Sequence, residues 1–189
     1  PLTAMMSCPI GDGAAAAIVC RADLAKKYRP GKPIVRITAS HLGSEKYERG
    51  HLFMGPVVGP AQMSRDAAAD LWQQSGMGPK DIDLVQVHDA FVIEELEYYE
   101  LLGFCREGEG EQAIEDGRFA PGGAPPFSTD GGLIARGHPG GPTGLAQVWE
   151  TVHQLRGTAG KRQVPNARAG LCHMMGGGSV CAAHILVKE

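Results

Sequence analysis

Residues 131–144 read Gly-Gly-Leu-Ile-Ala-Arg-Gly-His-Pro-Gly-Gly-Pro-Thr-Gly and run straight into an amphipathic segment. Leu145, Val148, Trp149, Val152 and Leu155 follow the i, i+3, i+4, i+7 spacing of a helix with one buried face. Pro142 suits the first helical turn, where its missing N–H is not needed, and Gly157 marks the stop. His138 is therefore held on a tight loop without bulk at a helix start, where a ligand can come close. Three roles compete for it. A phosphate cradle would use the glycine-rich backbone, but the Lys-Ser/Thr pair of a P-loop is missing. A turn with an incidental histidine is the second. The third is a catalytic histidine, which needs partners from elsewhere in the chain.

Composition bounds those partners. At 189 residues, 43% hydrophobic and 21% charged, the chain can bury a full core. A net charge of −3 gives no footprint for nucleic acid or an acidic membrane surface. No apolar run approaches the ~20 residues of a membrane span, so a soluble, cytoplasmic protein is expected. The five cysteines, Cys8, Cys20, Cys105, Cys172 and Cys181, include no C-x-x-C pair and suit neither a disulfide framework nor a structural zinc site. The chain opens Pro1-Leu2-Thr3, and we expect it to be the C-terminal piece of a longer protein.

Along the chain, α and β signals alternate. Ala14–Cys20 reads as a buried strand running into a short helical segment that ends near Lys27. Tyr28 to Pro33, with two prolines and a glycine, mark a boundary, and Ile34–Ala39 is a β-branched strand. Residues 42–60 form a long loop. A helix over Ala61–Ser75 carries Met63, Ala67, Ala68, Leu71 and Trp72 on one stripe. Asp83–His88 is a short strand, and Asp89 is placed to cap a helix over Ala90–Leu102. Residues 103–127 are an irregular insert. Ala169–Met175 and Ser179–Val187 are two strands joined by Gly176-Gly-Gly178. This order predicts an α/β fold, a mixed five-stranded sheet covered by helices.

Ligands of open α/β sheets gather at the carboxyl ends of strands. His88 ends one strand there, and Cys172 lies near the glycine turn at 176–178. With His138 they form a candidate constellation from three loops, suited to acyl transfer or carbon–carbon bond chemistry on a thioester. Imidazole N–H groups can hold a carbonyl oxygen that becomes an oxyanion, and a thiol or imidazole can move a proton on carbon. Cys8, Cys20, Cys105 and Cys181 read as structural. His173 neighbours Cys172, but adjacent strand residues face opposite ways, so at most one of the two enters a site.

These residues resemble the C-terminal half of thiolases, most closely the sterol-carrier-protein or lipid-transfer-protein-like branch. Asp12-Gly-Ala-Ala-Ala16 is similar to the family's entry into the last strand of its N-terminal domain. Val87-His88-Asp89-Ala90-Phe91 resembles the branch's His-Asp-Cys-Phe motif, with Ala90 where that branch carries cysteine. Gly132–Gly144 matches the Gly-His-Pro loop.

The resemblance implies a thiolase C-terminal domain over residues 28–189, with 1–27 ending the N-terminal domain. It implies that His138 activates the nucleophilic cysteine and binds the thioester oxygen, that His88 takes the oxyanion-hole position, and that Cys172 stands for the acid/base cysteine. The family's Cys-x-Gly-Gly-Gly here becomes Cys172-His-Met-Met-Gly, with the glycines displaced by two residues. The implied activity is thiolysis of a 3-ketoacyl-CoA or its Claisen reverse, with coenzyme A as substrate and neither a permanent cofactor nor a metal. The nucleophile would come from an N-terminal half, upstream or on a separate subunit, within a homo-oligomer. Retro-aldol cleavage of steroid or branched acyl-CoA side chains with an OB-fold partner, or a non-catalytic acyl-CoA or lipid-binding subunit, are the alternatives.

Overall fold

Four strands form the sheet, in the order β1-β4-β3-β2. They are β1 (Val35–Ser44), β2 (Leu84–Gln86), β3 (Ala169–Gly176) and β4 (Val180–Lys188). The computed structural model describes residues 2–44, 60–177 and 180–189. β4 pairs antiparallel with both β1 and β3, whereas β2 runs parallel to β3, which makes the sheet mixed as expected. The fifth strand is absent among the described residues. Residues 14–20 form no helix or strand and have no ladder partner, and Ile18 is 99% exposed. A strand needs a neighbour to satisfy its N–H and C=O groups, and this segment has none within the described chain. β1 runs on to Ser44, past the predicted end at Ala39; most of the expected loop over 42–60 lies outside the described residues.

Helices cover both faces. α1 (Ala22–Tyr28) buries no residue. α2 (Pro60–Ser75) lies over β1 and β4, and Met63, Ala67, Ala68 and Leu71 of its stripe are buried there. α3 (Val92–Leu101) packs beside it and buries Tyr98 and Tyr99. The insert folds into α4 (Gly110–Glu115) and an aromatic group in which Phe119 and Phe127 stack around Tyr99, with centroids 4.5 and 4.7 Å away. α5 (Gly132–Arg136) and α6 (Thr143–Arg156) complete the set, with α6 against β2, β3 and β4 on the opposite face.

α6 departs from its predicted orientation. Its buried residues are Thr143, Gln147, Glu150, Thr151, Gln154 and Leu155, while Leu145 and Trp149 of the apolar stripe are 45% and 48% exposed. Most of these polar groups are satisfied in place, Gln147 Oε1 being the exception. Gln147 Nε2 donates to Val87 O and His173 O, joining the end of β2 to β3. Glu150 accepts from Arg162 Nη2 at 2.7 Å and from Gln154 at 2.9 Å. Close approach of α6 to the sheet also requires Gly170, because a Cβ there would lie 2.5 Å from Thr151 Cγ2. The polar stripe has the same helical period as the apolar one, so periodicity alone does not say which face meets the sheet.

Candidate active site

The chain leaves β2 at its carboxyl end, and His88 stands two residues beyond that end. Its side chain is 12% exposed, and Nδ1 lies 3.5 Å from Glu94 Oε2 in the first turn of α3. Glu94 also accepts the Phe91 N–H at 3.1 Å, so Phe91 is the N-cap of α3 and Glu94 closes the turn. Asp89, expected as that cap, instead turns inward: its Oδ1 accepts the Leu133 N–H of α5 at 2.9 Å. Burial raises its carboxyl from 3.8 to about 6.

His138 follows α5 directly after Gly137. Its backbone N–H donates to Pro9 O at 2.9 Å, and its ring reaches the first residue of α6, with Nδ1 2.8 Å from Thr143 Oγ1. The single hydroxyl proton of Thr143 is committed to Pro139 O at 2.7 Å. Thr143 must therefore accept at the imidazole, which assigns the proton to Nδ1 and leaves Nε2 of neutral His138 as a base.

The structure brings the two histidines together across 50 residues. Their Nε2 atoms are 3.3 Å apart and the rings meet edge to face, with centroids 5.1 Å apart. With His138 Nε2 bare, the hydrogen bond between them has His88 as donor. Burial, then the neighbouring His88 and Arg136, lower the pKa of His138 and favour its neutral form. A carbonyl oxygen entering beside the pair would take over the His88 N–H, and His138 Nε2 would be free to accept a proton.

Cys172 is not part of that pair. It is 2% exposed, and its Sγ lies 3.2 Å from Thr151 Oγ1 on α6, among Leu84, Leu155, Ala167 and Leu186. Burial pushes the thiol up to about 12. On the same face, two residues nearer the turn, Met174 faces the first turn of α6: a Cβ at Gly144 would lie 3.5 Å from its Cγ. The two-residue displacement of the glycines thus puts a thioether closer to the histidine loop and the thiol deeper in the core. His173 points the other way, as strand alternation predicts, toward Ser64 Oγ at 3.0 Å and the Tyr98 ring at 4.5 Å. Burial lowers it to about 3, so it is neutral.

Sequence reasoning missed three contributors. Thr143 has a legible signal, a hydroxyl five residues after the histidine at a helix start. The true partner of Asp89 does not, because 44 residues separate the carboxylate from Leu133. Nor does the N-terminal segment: Cys8 N–H donates to Ala90 O at 2.8 Å, Ser7 bridges Phe91, and Pro9 holds His138. Cys8, read as structural, thus belongs to a segment tied to both histidine loops.

Comparison with known proteins agrees with this architecture. A family model described as thiolase C-terminal domain-like matches residues 48–188. Sterol carrier protein 2 of Rattus norvegicus is 42% identical over 178 residues, which is 93% of this chain and 32% of the relative. An acetyl-CoA acetyltransferase of Methanothermobacter thermautotrophicus is 42% identical over 190 residues, 100% of this chain and 48% of the relative. Among solved structures, a chain of the Ltp2-ChsH2(DUF35) aldolase superposes with a TM-score of 0.68 at 28% identity, over 82% of this chain and 40% of that one. The chain therefore spans from about a third to about a half of these relatives. By its sheet, its helix order and the family model that covers most of its length, the chain belongs to the thiolase C-terminal domain-like family.

Proposed function

We propose that this chain is the C-terminal half of a thiolase-family enzyme that makes or breaks a carbon–carbon bond beside the carbonyl of an acyl-CoA thioester. The observation that carries the reading is the 3.3 Å approach of His88 Nε2 to His138 Nε2. In this reading His88 donates to the thioester oxygen as negative charge builds there. His138, with its proton fixed on Nδ1 by Thr143, accepts a proton at Nε2. An N-terminal half supplies the nucleophilic cysteine for acyl transfer, and residues 1–27 belong to that half's domain. Ile18, Val19, Leu145 and Trp149 are exposed apolar side chains that such a half would cover. Coenzyme A enters as part of the substrate.

Cys172 bears on which reaction is run. To shuttle a proton, as the resemblance implies, its thiol would have to leave Thr151 and the apolar cluster around it. That seclusion favours a second reading, retro-aldol cleavage of a 3-hydroxyacyl-CoA, which needs no thiol. His138 Nε2 takes the hydroxyl proton, the Cα–Cβ bond breaks to give a ketone or aldehyde, and its electrons form the thioester enolate held by His88. Protonation at Cα then completes the shortened acyl-CoA. The superposed aldolase is in keeping with this reading.

The test is made on the intact protein with two substrates, a 3-ketoacyl-CoA plus coenzyme A and a 3-hydroxyacyl-CoA alone. H138A is expected to lower whichever turnover is present by about 10²–10⁴-fold while the fold persists. C172S separates the readings: loss of thiolysis supports the thiolase proton shuttle, and retained aldol cleavage supports the second reading. H138A with full turnover overturns the assignment of the histidine pair, and an intact parent that turns over neither substrate leaves an acyl-CoA or lipid-binding subunit.

A further inference from the structure

The two histidine loops are joined by a buried carboxylate that the chemistry above does not use. Asp89 follows His88 directly and is 3% exposed. Its Oδ1 accepts the Leu133 N–H at 2.9 Å, in the first turn of the short helix that delivers His138. The fit depends on Gly132. With φ at +62°, it sits where a Cβ would run into both carboxylate oxygens, so only glycine lets the side chain come this close. A surface Ser or Asn would cap α5 equally well. A carboxylate taken out of water is destabilising unless a cation or several N–H groups compensate it; for Asp89 the backbone N–H groups of Leu133, Ile134 and Asp89 itself do so in part, against desolvation and the like charge of Glu95.

We infer that Asp89 is a positioning residue for the His88–His138 pair: seated against Gly132 and the Leu133 N–H, its carboxylate ties the residue beside one imidazole to the helix that carries the other, and so sets their spacing. This inference rests on the assignment of the pair proposed above. The 3.3 Å contact between the Nε2 atoms is sensitive to any relative slide of the two loops, and a misplacement of about 1 Å can lower a rate on the order of a hundredfold. The carboxylate acts through the histidines and touches no substrate in this scheme.

The test compares D89N, D89A and G132A in the intact protein. Steady-state kinetics are read alongside the 15N resonances of the His88 and His138 rings. D89A is expected to lower kcat by about tenfold to a hundredfold with KM little changed, and to shift both histidine spectra. D89N keeps an oxygen for the Leu133 N–H and is expected to recover most of the loss. G132A leaves Asp89 in the chain but evicts its carboxylate, and should resemble D89A. Wild-type kcat and unshifted histidine spectra in D89A or G132A would overturn the inference, as would D89N losing as much as D89A. Should D89A fail to fold, the D89N and G132A arms still decide the matter. The spectra report the clamp even if the acyl-CoA reading fails, because they do not depend on turnover.

Discussion

Thr143 receives the Nδ1 proton of His138, because its own hydroxyl proton is bound to Pro139 O at 2.7 Å. One side chain therefore decides which nitrogen of the histidine is a base. The geometry is local, within a loop closed by the start of α6, but its effect falls on the far side of the ring, where His88 waits at 3.3 Å.

Removing that acceptor should free the tautomer. T143V is expected to lower kcat about tenfold and to mix the two neutral tautomers of His138, read from ring 15N shifts. T143S, which keeps the hydroxyl, should behave as the parent. A T143V protein with an unmixed Nδ1–H tautomer would show that Thr143 does not set it.

The cysteines should divide sharply by reactivity. Cys20 is exposed, whereas Cys172 and Cys181 are buried, with thiols that burial pushes up to about 12. Thiolate is the reactive form. Brief alkylation at neutral pH, followed by peptide mass spectrometry, should label Cys20 in this chain taken alone and leave Cys172 and Cys181 unmodified, there and in the intact protein, until denaturant is added. Rapid native labelling of Cys172 would place it in an accessible site after all.

Asp89 gives a pH dependence with a defined sign. Desolvation raises its carboxyl from 3.8 to about 6, against the Leu133 N–H bond, which lowers it, and with the Glu95 charge on α3, which raises it. The folded protein thus holds this proton more tightly than the unfolded chain does. Its stabilising contribution is full below about pH 4 and is lost as pH rises through about 6, a change of roughly 3 kcal/mol. In urea denaturation the parent should lose stability relative to D89N by about that amount between the two pH values. Parallel pH curves for the two proteins would contradict the burial of an ionised carboxylate here.

The buried acid on α6 gives a stability prediction away from the chemistry. The Glu150 side chain is 1% exposed, and although burial pushes its pKa up, Arg162, Gln154 and Thr129 hold it below the ordinary value. R162A would leave that charge with neutral partners only. It is expected to cost about 2 kcal/mol, discounted from a fully buried pair because Arg162 is partly in solvent. The loss should shrink as pH falls and Glu150 protonates, which thermal unfolding across the acid range would show.

By itself the sequence determined what depends on the local chain. Period and punctuation located α2, α6 and the β3–β4 hairpin, and alternation along β3 put Cys172 and His173 on opposite faces. Glycine and proline around His138 disclosed a loop that leaves the imidazole open to a ligand. Tertiary structure decided what depends on closure between distant segments. α6 carries a polar and an apolar stripe of the same period, and only packing chose Gln147, Glu150, Thr151 and Gln154 to meet the sheet. Asp89 had two helix starts within reach, and α3 already had Glu94 to close its first turn, so the carboxylate went to α5. Cys172 and Met174 share a face, and only the depth of each along β3 put the thiol in the core and the thioether beside α6. The pairing of His88 with His138 is of this second kind: 50 residues of intervening chain carry no periodic trace of a contact made by two loops at one end of a sheet.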